Sequence, residues 1–275
     1  MVLAQTATAS SFGELLRGWR MRRRLSQLQL AVDAEISSRH LSFLETGRAK
    51  PSREMVIHLA EHLDVPLRER NPLLLAAGFA PAYDQRPLAA PEMDSVRQAI
   101  ELVLAAHEPY PAIVVDRYWN LVLANPTVPL LIEGLPAELL TPPVNVYRLS
   151  FHPDGLPRRM ANFAEYATHF LGRLRHDVAV SGDPQLSALL AEVEAYPTVD
   201  EVAAVTPSRS SVVLPMRLLH PTGELALFST VATFGTPVDI TVSELAIETF
   251  FPADTHTAQF FQNAASPSLT GGTRT

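Results

Sequence analysis

The sequence predicts a multidomain chain, all-α toward the N-terminus and α+β beyond it, on three observations. Residues 11–78 break into five short stretches with apolar residues at helical spacing. A proline-bearing stretch, FAPAYDQRPLAAPE at 79–92, interrupts that periodicity. In the last third the period shortens to that of strands. A length of 275 residues agrees with about two domains.

The composition is that of a globular chain, 47% hydrophobic and 19% charged. The absence of Cys excludes a disulfide framework, a thiol nucleophile and a thiolate metal site, and agrees with a reducing compartment. Residues 1–10 lack the basic start and apolar run of a secretory signal. No uncharged apolar stretch reaches the ~18 residues of a membrane span, so a soluble, cytoplasmic protein is expected. The net charge of −7 is unevenly spread: residues 1–80 balance at +3 (11 Lys and Arg against 8 Asp and Glu), and the other 195 at −10.

Ser11 and Glu14 form a capping-box pattern that opens a first helix to about Arg24, with Phe12, Leu15, Leu16 and Trp19 as its apolar stripe. Arg22–Arg24 at its end either approach phosphate or solvate the surface. Ser26 with Gln29 repeats the capping box for a second helix, whose apolar side is Leu28, Leu30 and Ala31. Ala34–Glu35–Ile36 takes the place of the turn. Ser37 caps a third helix to about Glu45–Thr46, with Leu41 and Leu44 facing inward and Ser38, Arg39 and Ser42 on the other face. Gly47 suits a left-handed C-terminal position. Pro51–Ser52 introduces a fourth helix at 53–63, and Pro66, as a first helical residue, opens a fifth that ends at Gly78. His58 and His62 stand four apart, but no third ligand or HExxH string accompanies them, and a solvated face is expected.

The order at 26–53 is that of a helix-turn-helix, which places one short helix in the major groove of DNA. LSQLQLA followed by ISSRHLSFLETGRAKPS resembles the phage-repressor-like (XRE) helix-turn-helix family slot by slot, and SSRHLSFLETGRAKPSREM resembles the MmyB-like regulators. That resemblance implies double-stranded DNA as a partner, and an ion pair between Arg20 and Glu45 that braces the helices. Ser37, Ser38, Arg39 and Ser42 are expected to face base edges, and Gln27, Arg48, Lys50 and Arg53 to meet phosphates. Phe43 either touches a thymine methyl or packs inward, and His40 lies beside the face.

Beyond a linker at 81–91, a helix is expected at about 92–107, with Met93, Val96, Ile100, Val103 and Leu104 on one face. AIVVD at 112–116 and YWNLVLAN at 118–125 suggest a hairpin. Short helical pieces follow at Leu130–Ile132, Leu139–Leu140 and Val144–Phe151, then a long helix over about 158–178 and another capped by Asp183. Strands are expected at Ser211–Leu219, Glu224–Phe234 and Thr241–Phe251, the first two joined by a turn at His220–Gly223. Two strands, helices, then three strands is the order of a PAS-like domain, a five-stranded antiparallel sheet with helices on one face. PAIVVDRYWNLVLAN, LSFHPDGL and TFFPAD resemble pieces of the MmyB-like C-terminal region. The expected organisation is thus an all-α five-helix helix-turn-helix domain (11–80), a linker (81–91), an α+β PAS-like ligand-binding and dimerisation domain (92–262) and a disordered tail (263–275).

Helices on a concave sheet can leave a pocket. Candidate walls are Val115, Trp119, Leu121, Leu123, Phe163, Tyr166, Phe170, Leu214, Leu227 and Phe234, each of which could equally fill a core. Such walls suit a small apolar or acyl ligand, and the resemblance implies a fatty-acid-like effector. Arg148 and His152 are the candidate partners of a carboxylate head, with Arg217 and Asn125 as alternatives. No resident cofactor or metal is expected, although His169 is the nearest candidate for a haem ligand. No glycine-rich phosphate loop, G-x-S-x-G elbow or metal string marks an enzyme. A DNA-binding homodimer is expected, its second domain either sensing a ligand or only dimerising.

Overall fold

The computed structural model describes residues 10–200 and 214–265. The chain divides into two compact units, one built on residues up to 87 with 179–181 and 236–243, the other on the remainder. Residues 1–9, the start of the strand expected from Ser211 and the tail from residue 266 lie outside the described residues.

Five helices make up most of the first unit: α1 (Phe12–Arg22), α2 (Gln27–Asp33), α3 (Ser38–Glu45), α4 (Arg53–His62) and α5 (Leu67–Ala76). The first four each begin on a serine whose hydroxyl accepts a backbone N–H: Ser11 from Glu14, Ser26 from Gln29, Ser37 from His40 and Ser52 from Met55. Each such cap is worth about 1 kcal/mol. Pro66 is the N-cap of α5 rather than its first helical residue. Glu35, in the turn between α2 and α3, has φ 52, a left-handed conformation that a glycine would adopt without steric cost. Gly47 is left-handed as expected, with φ 70.

Leu16, Leu30, Leu41, Leu44, Leu59 and Leu74 form the centre of this unit's core. Leu28 was expected among them but is 63% exposed. It lies two residues before Leu30, hence about 200° around the helix, and cannot share its face. Where α1 crosses α3, a Cβ on Gly13 would come within 2.4 Å of the Glu45 carbonyl oxygen. The two helices approach so closely only because position 13 has no side chain.

The second unit opens with α6 (Asp94–Ala106) and the hairpin β1 (Ala112–Val115) and β2 (Leu121–Ala124). Then come α7 (Pro129–Ile132), α8 (Val146–Phe151), α9 (Phe163–Ser181), α10 (Pro184–Glu194) and α11 (Pro197–Asp200). The chain returns as β3 (Met216–His220) and β4 (Gly223–Thr233), passes through α12 (Ile240–Ser243), which groups with the first unit, and ends in β5 (Ala246–Pro252) and α13 (Thr255–Ala265). All strand pairs are antiparallel, in the order β2-β1-β5-β4-β3. This is a PAS-like α+β domain.

Several elements differ from expectation for identifiable reasons. Every residue of β1 is buried, because both faces of the sheet are covered there. Ile113 and Val115 join the core that includes Tyr147, Phe151, Phe170 and Leu174, while Ala112 and Val114 pack with Ile100 and Leu104 of α6. Helices therefore lie on both faces, not one. Val103 of α6 was expected inward but is 44% exposed. β2 starts at Leu121 rather than Tyr118, because the Asp116 carboxylate accepts the backbone N–H of Tyr118 (2.8 Å) and Asn120 (2.9 Å) and holds a turn. Trp119 sits in that turn with φ 63. The strand expected from Thr241 starts at Ala246, since Asp239 accepts the Thr241 N–H and caps α12. The helix expected from residue 158 begins at Phe163. The sequence reading missed α13, which takes up the first three residues of the expected tail and fully buries Phe261.

Candidate nucleic-acid interface and effector cavity

α3 presents two unlike faces. Leu41 and Leu44 are buried, while Ser37, Ser38 and Arg39 are exposed and Ser42 is half-buried. The Arg39 guanidinium lies 5.3 Å from the centroid of the half-buried Phe43 ring. A cation held over an aromatic face keeps its hydrogen-bond donors directed outward. Arg48, Lys50 and Arg53 are exposed beyond the end of α3. The N–H groups of Arg48 and Ala49 close that end on the Phe43 carbonyl (2.8 and 3.1 Å).

A buried ion pair sets the angle of this face. Arg20 donates to Glu45 through Nε (2.6 Å) and Nη2 (2.8 Å), and Gln27 Nε2 adds a third bond to the same carboxylate (2.7 Å). Gln27 thus braces α3, and its amide keeps a second N–H for another acceptor. Of the arginines at the end of α1, Arg23 donates to the carbonyls of Leu63 (2.8 Å) and Asp64 (2.7 Å) and is committed to the fold. His58 likewise bonds the Ala34 carbonyl (2.8 Å).

In the second unit a cavity of about 70 Å³ opens between the sheet and α7, α8 and α9. Its walls are almost wholly apolar, with Ile113 and Leu121 from β1 and β2, Leu149 from α8 and Met216 from β3. Tyr166, Ser150 and Glu248 are its polar members. A second, shallower hollow of about 230 Å³ lies beside it, bounded by Tyr166, His169, Phe170, Arg173, Leu214, Ser229 and Glu248. Tyr166 and Glu248 therefore line both.

The residues expected to hold a ligand are dispersed. Tyr166 lines the cavity and Phe170 the hollow, whereas Trp119 and Phe163 fill the core. Phe170 also stacks on Tyr147 with centroids 4.3 Å apart. None of the four expected head-group partners lines either space. Arg148 is engaged by Glu192 (2.7 and 2.8 Å) and Arg217 by Glu224. His152 Nδ1 accepts the Asp154 N–H. Asn125 is buried and spans backbone groups, accepting from Ala112 and donating to Tyr110. Among the other expected walls, Leu121 lines the cavity and Leu214 the hollow.

The polar groups missed from the sequence are Glu248, Arg173 and Tyr147. Glu248 is 5% exposed, and burial holds its carboxyl above the usual carboxylate range while it accepts from Ser229 (2.6 Å). Its native state keeps a proton that the unfolded chain loses near pH 4.5, so this group's contribution to stability falls as pH rises above that value. Glu248→Gln is expected to raise the melting temperature more at pH ~8 than at pH ~4.5. An equal effect at both pH values would show that Glu248 is not buried as a neutral acid. Tyr147 is completely buried, and its hydroxyl finds no hydrogen-bond partner among the described residues.

Comparison with known families supplies the identity. Residues 11–73 match a family described as a helix-turn-helix domain, and residues 96–264 match the MmyB-like transcription regulator ligand binding domain. The chain belongs to the MmyB-like transcription regulators. Its α3 is the second helix of the matched helix-turn-helix, and its PAS-like unit is the matched ligand-binding domain. No curated protein matches this MmyB-like regulator. Among solved structures it is similar to a chain described as "Structure of an RNA-binding Light-Oxygen-Voltage Receptor", at 13% identity and a TM-score of 0.27. The match covers 92% of the regulator and 61% of the receptor chain, so the regulator spans about three fifths of that chain's length. Among the described residues no helix is long and apolar enough to cross a membrane.

Proposed function

We propose that this regulator binds a specific duplex DNA site as a cytoplasmic homodimer, without enzymatic activity, and that its PAS-like domain couples an apolar or fatty-acid-like effector to that binding. The functional division is that of the sequence: residues 11–80 read DNA and 92–262 bind ligand and dimerise, with 81–91 between them. The observation that carries the DNA reading is the polar face of α3, where exposed Ser37, Ser38 and Arg39 stand opposite buried Leu41 and Leu44. With α3 in the major groove, Arg39, held over Phe43, and Ser42 reach base edges. Arg48, Lys50, Arg53 and the second N–H of Gln27 meet phosphates.

The cavity supports the effector reading. Its walls offer almost nothing but hydrocarbon, and a volume of about 70 Å³ falls below the ~150 Å³ that holds benzene in an engineered apolar site. An acyl chain therefore enters by displacing wall side chains. That rearrangement gives a ligand the unequal affinity for two states without which it shifts no equilibrium. A domain that only dimerises is the rival reading, favoured by the way Trp119 and Phe163 fill the core.

DNA selection with the full-length protein, followed by titration of the selected site, tests the first part. Arg39→Ala is expected to weaken specific binding by about 1–3 kcal/mol and relax one base position. Lys50→Ala is expected to weaken all sequences alike and lower the salt slope by about one. An Arg39→Ala protein with wild-type affinity and preference would remove Arg39 from the interface. Native mass spectrometry with organic extraction tests the second part, and a clean apo dimer from several hosts would favour the rival.

A further inference from the structure

We propose that Phe43 is a specificity-determining residue: the edge of its ring meets the methyl group of a thymine in the major groove, at a base pair next to a guanine taken by Arg39. This rests on the DNA-binding reading and adds the base-pair step that α3 selects. Three observations lead there.

Phe43 is an aromatic ring on the polar face of its helix. It follows Leu41 by two residues, about 200° around α3, and so points away from the core that Leu41 and Leu44 join. Arg39, one turn earlier, is its neighbour on the outer face. The ring is half-buried, yet among the described residues it neither packs against the core of its unit nor meets another ring. Its aromatic face is taken instead by the Arg39 guanidinium, 5.3 Å from the centroid. Hydrocarbon that the fold leaves uncovered gains free energy when a partner covers it.

The pair is fixed before DNA arrives. The Phe43 carbonyl accepts the N–H groups of Arg48 (2.8 Å) and Ala49 (3.1 Å), which holds the backbone from which the ring projects. Arg39 makes no hydrogen bond or ion pair with a described residue, so the ring alone orients its guanidinium. Cation and ring therefore enter the groove as one unit, at a reduced entropic cost.

The chemistry of the groove then names the bases. An arginine fork matches O6 and N7 of guanine, and thymine is the one base that shows a methyl group there. A phenyl ring has no donor or acceptor, so that methyl is the feature of a base edge that it can complement. Stacked bases lie about 3.4 Å apart, so a guanidinium and a ring centred 5.3 Å from each other meet neighbouring base pairs and not distant ones.

DNA selection with the full-length protein supplies the duplex for the test. Each thymine of the selected site is then replaced in turn by deoxyuridine, which removes the methyl and keeps every hydrogen-bonding group. At one thymine, beside the guanine whose preference Arg39→Ala abolishes, the replacement is expected to weaken wild-type binding about fourfold, the scale of one buried methyl group. Phe43→Ser should bind the two duplexes alike, while Phe43→Tyr, which keeps the ring, should retain the difference. The ratio of the two affinities reads the methyl contact itself, and a general loss of folding leaves it unchanged. The wild-type ratio also stands without any variant. Equal wild-type binding of the thymine and deoxyuridine duplexes at every position, or an equal loss in the wild type and in Phe43→Ser, would overturn the assignment and leave the DNA-binding reading standing. Selection of no sequence at all would overturn that reading, and this one with it.

Discussion

Glu45→Ala is expected to destabilise the helix-turn-helix unit by about 3–5 kcal/mol and to abolish DNA binding with it. Arg20 is 9% exposed, and its guanidinium is satisfied by the Glu45 carboxylate and the Leu25 carbonyl. Truncating Glu45 leaves that charge buried without its counter-ion and also releases Gln27, the link from α2. The loss is largely the cost of an uncompensated buried charge, so Arg20→Met with Glu45→Leu together should recover much of the stability. Hydrogen exchange on the full-length protein reads this directly. Protection over 12–45 should collapse in the single variant while residues 112–124 stay protected. Unchanged protection over α1 and α3 would mean that the pair contributes nothing. Acid should mimic the substitution. Burial pushes the Glu45 carboxyl up, but the bonds from Arg20 and Gln27 outweigh it and leave it below its usual range. For an acid so depressed, the stabilisation is complete above pH 4.5 and is lost as pH falls through the folded value.

A similar loss is expected in the PAS-like unit from Arg117→Ala, about 3–5 kcal/mol. Arg117 bridges two carboxylates, Asp183 at 2.5 Å and Glu244 at 2.8 Å, and the three side chains are only 9–15% exposed. Asp183 is also the N-cap of α10, accepting from Gln185 (2.7 Å) and Leu186 (3.2 Å). One guanidinium thus ties the β1–β2 turn to the start of α10 and to the approach to β5. Its removal leaves two acids facing each other in a poorly solvated site. Arg117→Lys should rescue little, because a single ammonium cannot present two donors in the fixed fork that spans both acids. Denaturant unfolding monitored by exchange over 112–124 and 184–194 measures the effect. A change within about 1 kcal/mol would show that the desolvation of the three charges cancels their attraction.

What could be read along the chain was local. Ser11, Ser26 and Ser37 announce their helices because a cap reaches only three residues ahead, and Gly47 marks the end of α3 for the same reason. The alternation around Glu248 shows a strand, and the Pro221–Thr222 turn its hairpin, since both depend on neighbours in sequence. The polar face of α3 follows from helical spacing, and the Arg20–Glu45 pair from the likeness of the whole string to a known family. Partners distant in sequence were not legible. Arg148 looks free in the sequence until Glu192, 44 residues away, reaches it. Whether Trp119 lines a pocket or fills a core depends on its left-handed backbone, which Asp116 imposes through a turn that composition does not reveal. Burial of Glu248, and the Arg173 guanidinium 4.6 Å from the centroid of the Trp119 ring, arise only when the long helix crosses the sheet. The sequence by itself determined the two domain types and the second helix of the helix-turn-helix, because caps, periods and turns act within a few residues. Only the tertiary structure decided which charges are paired with each other, because that depends on groups brought together from distant parts of the chain.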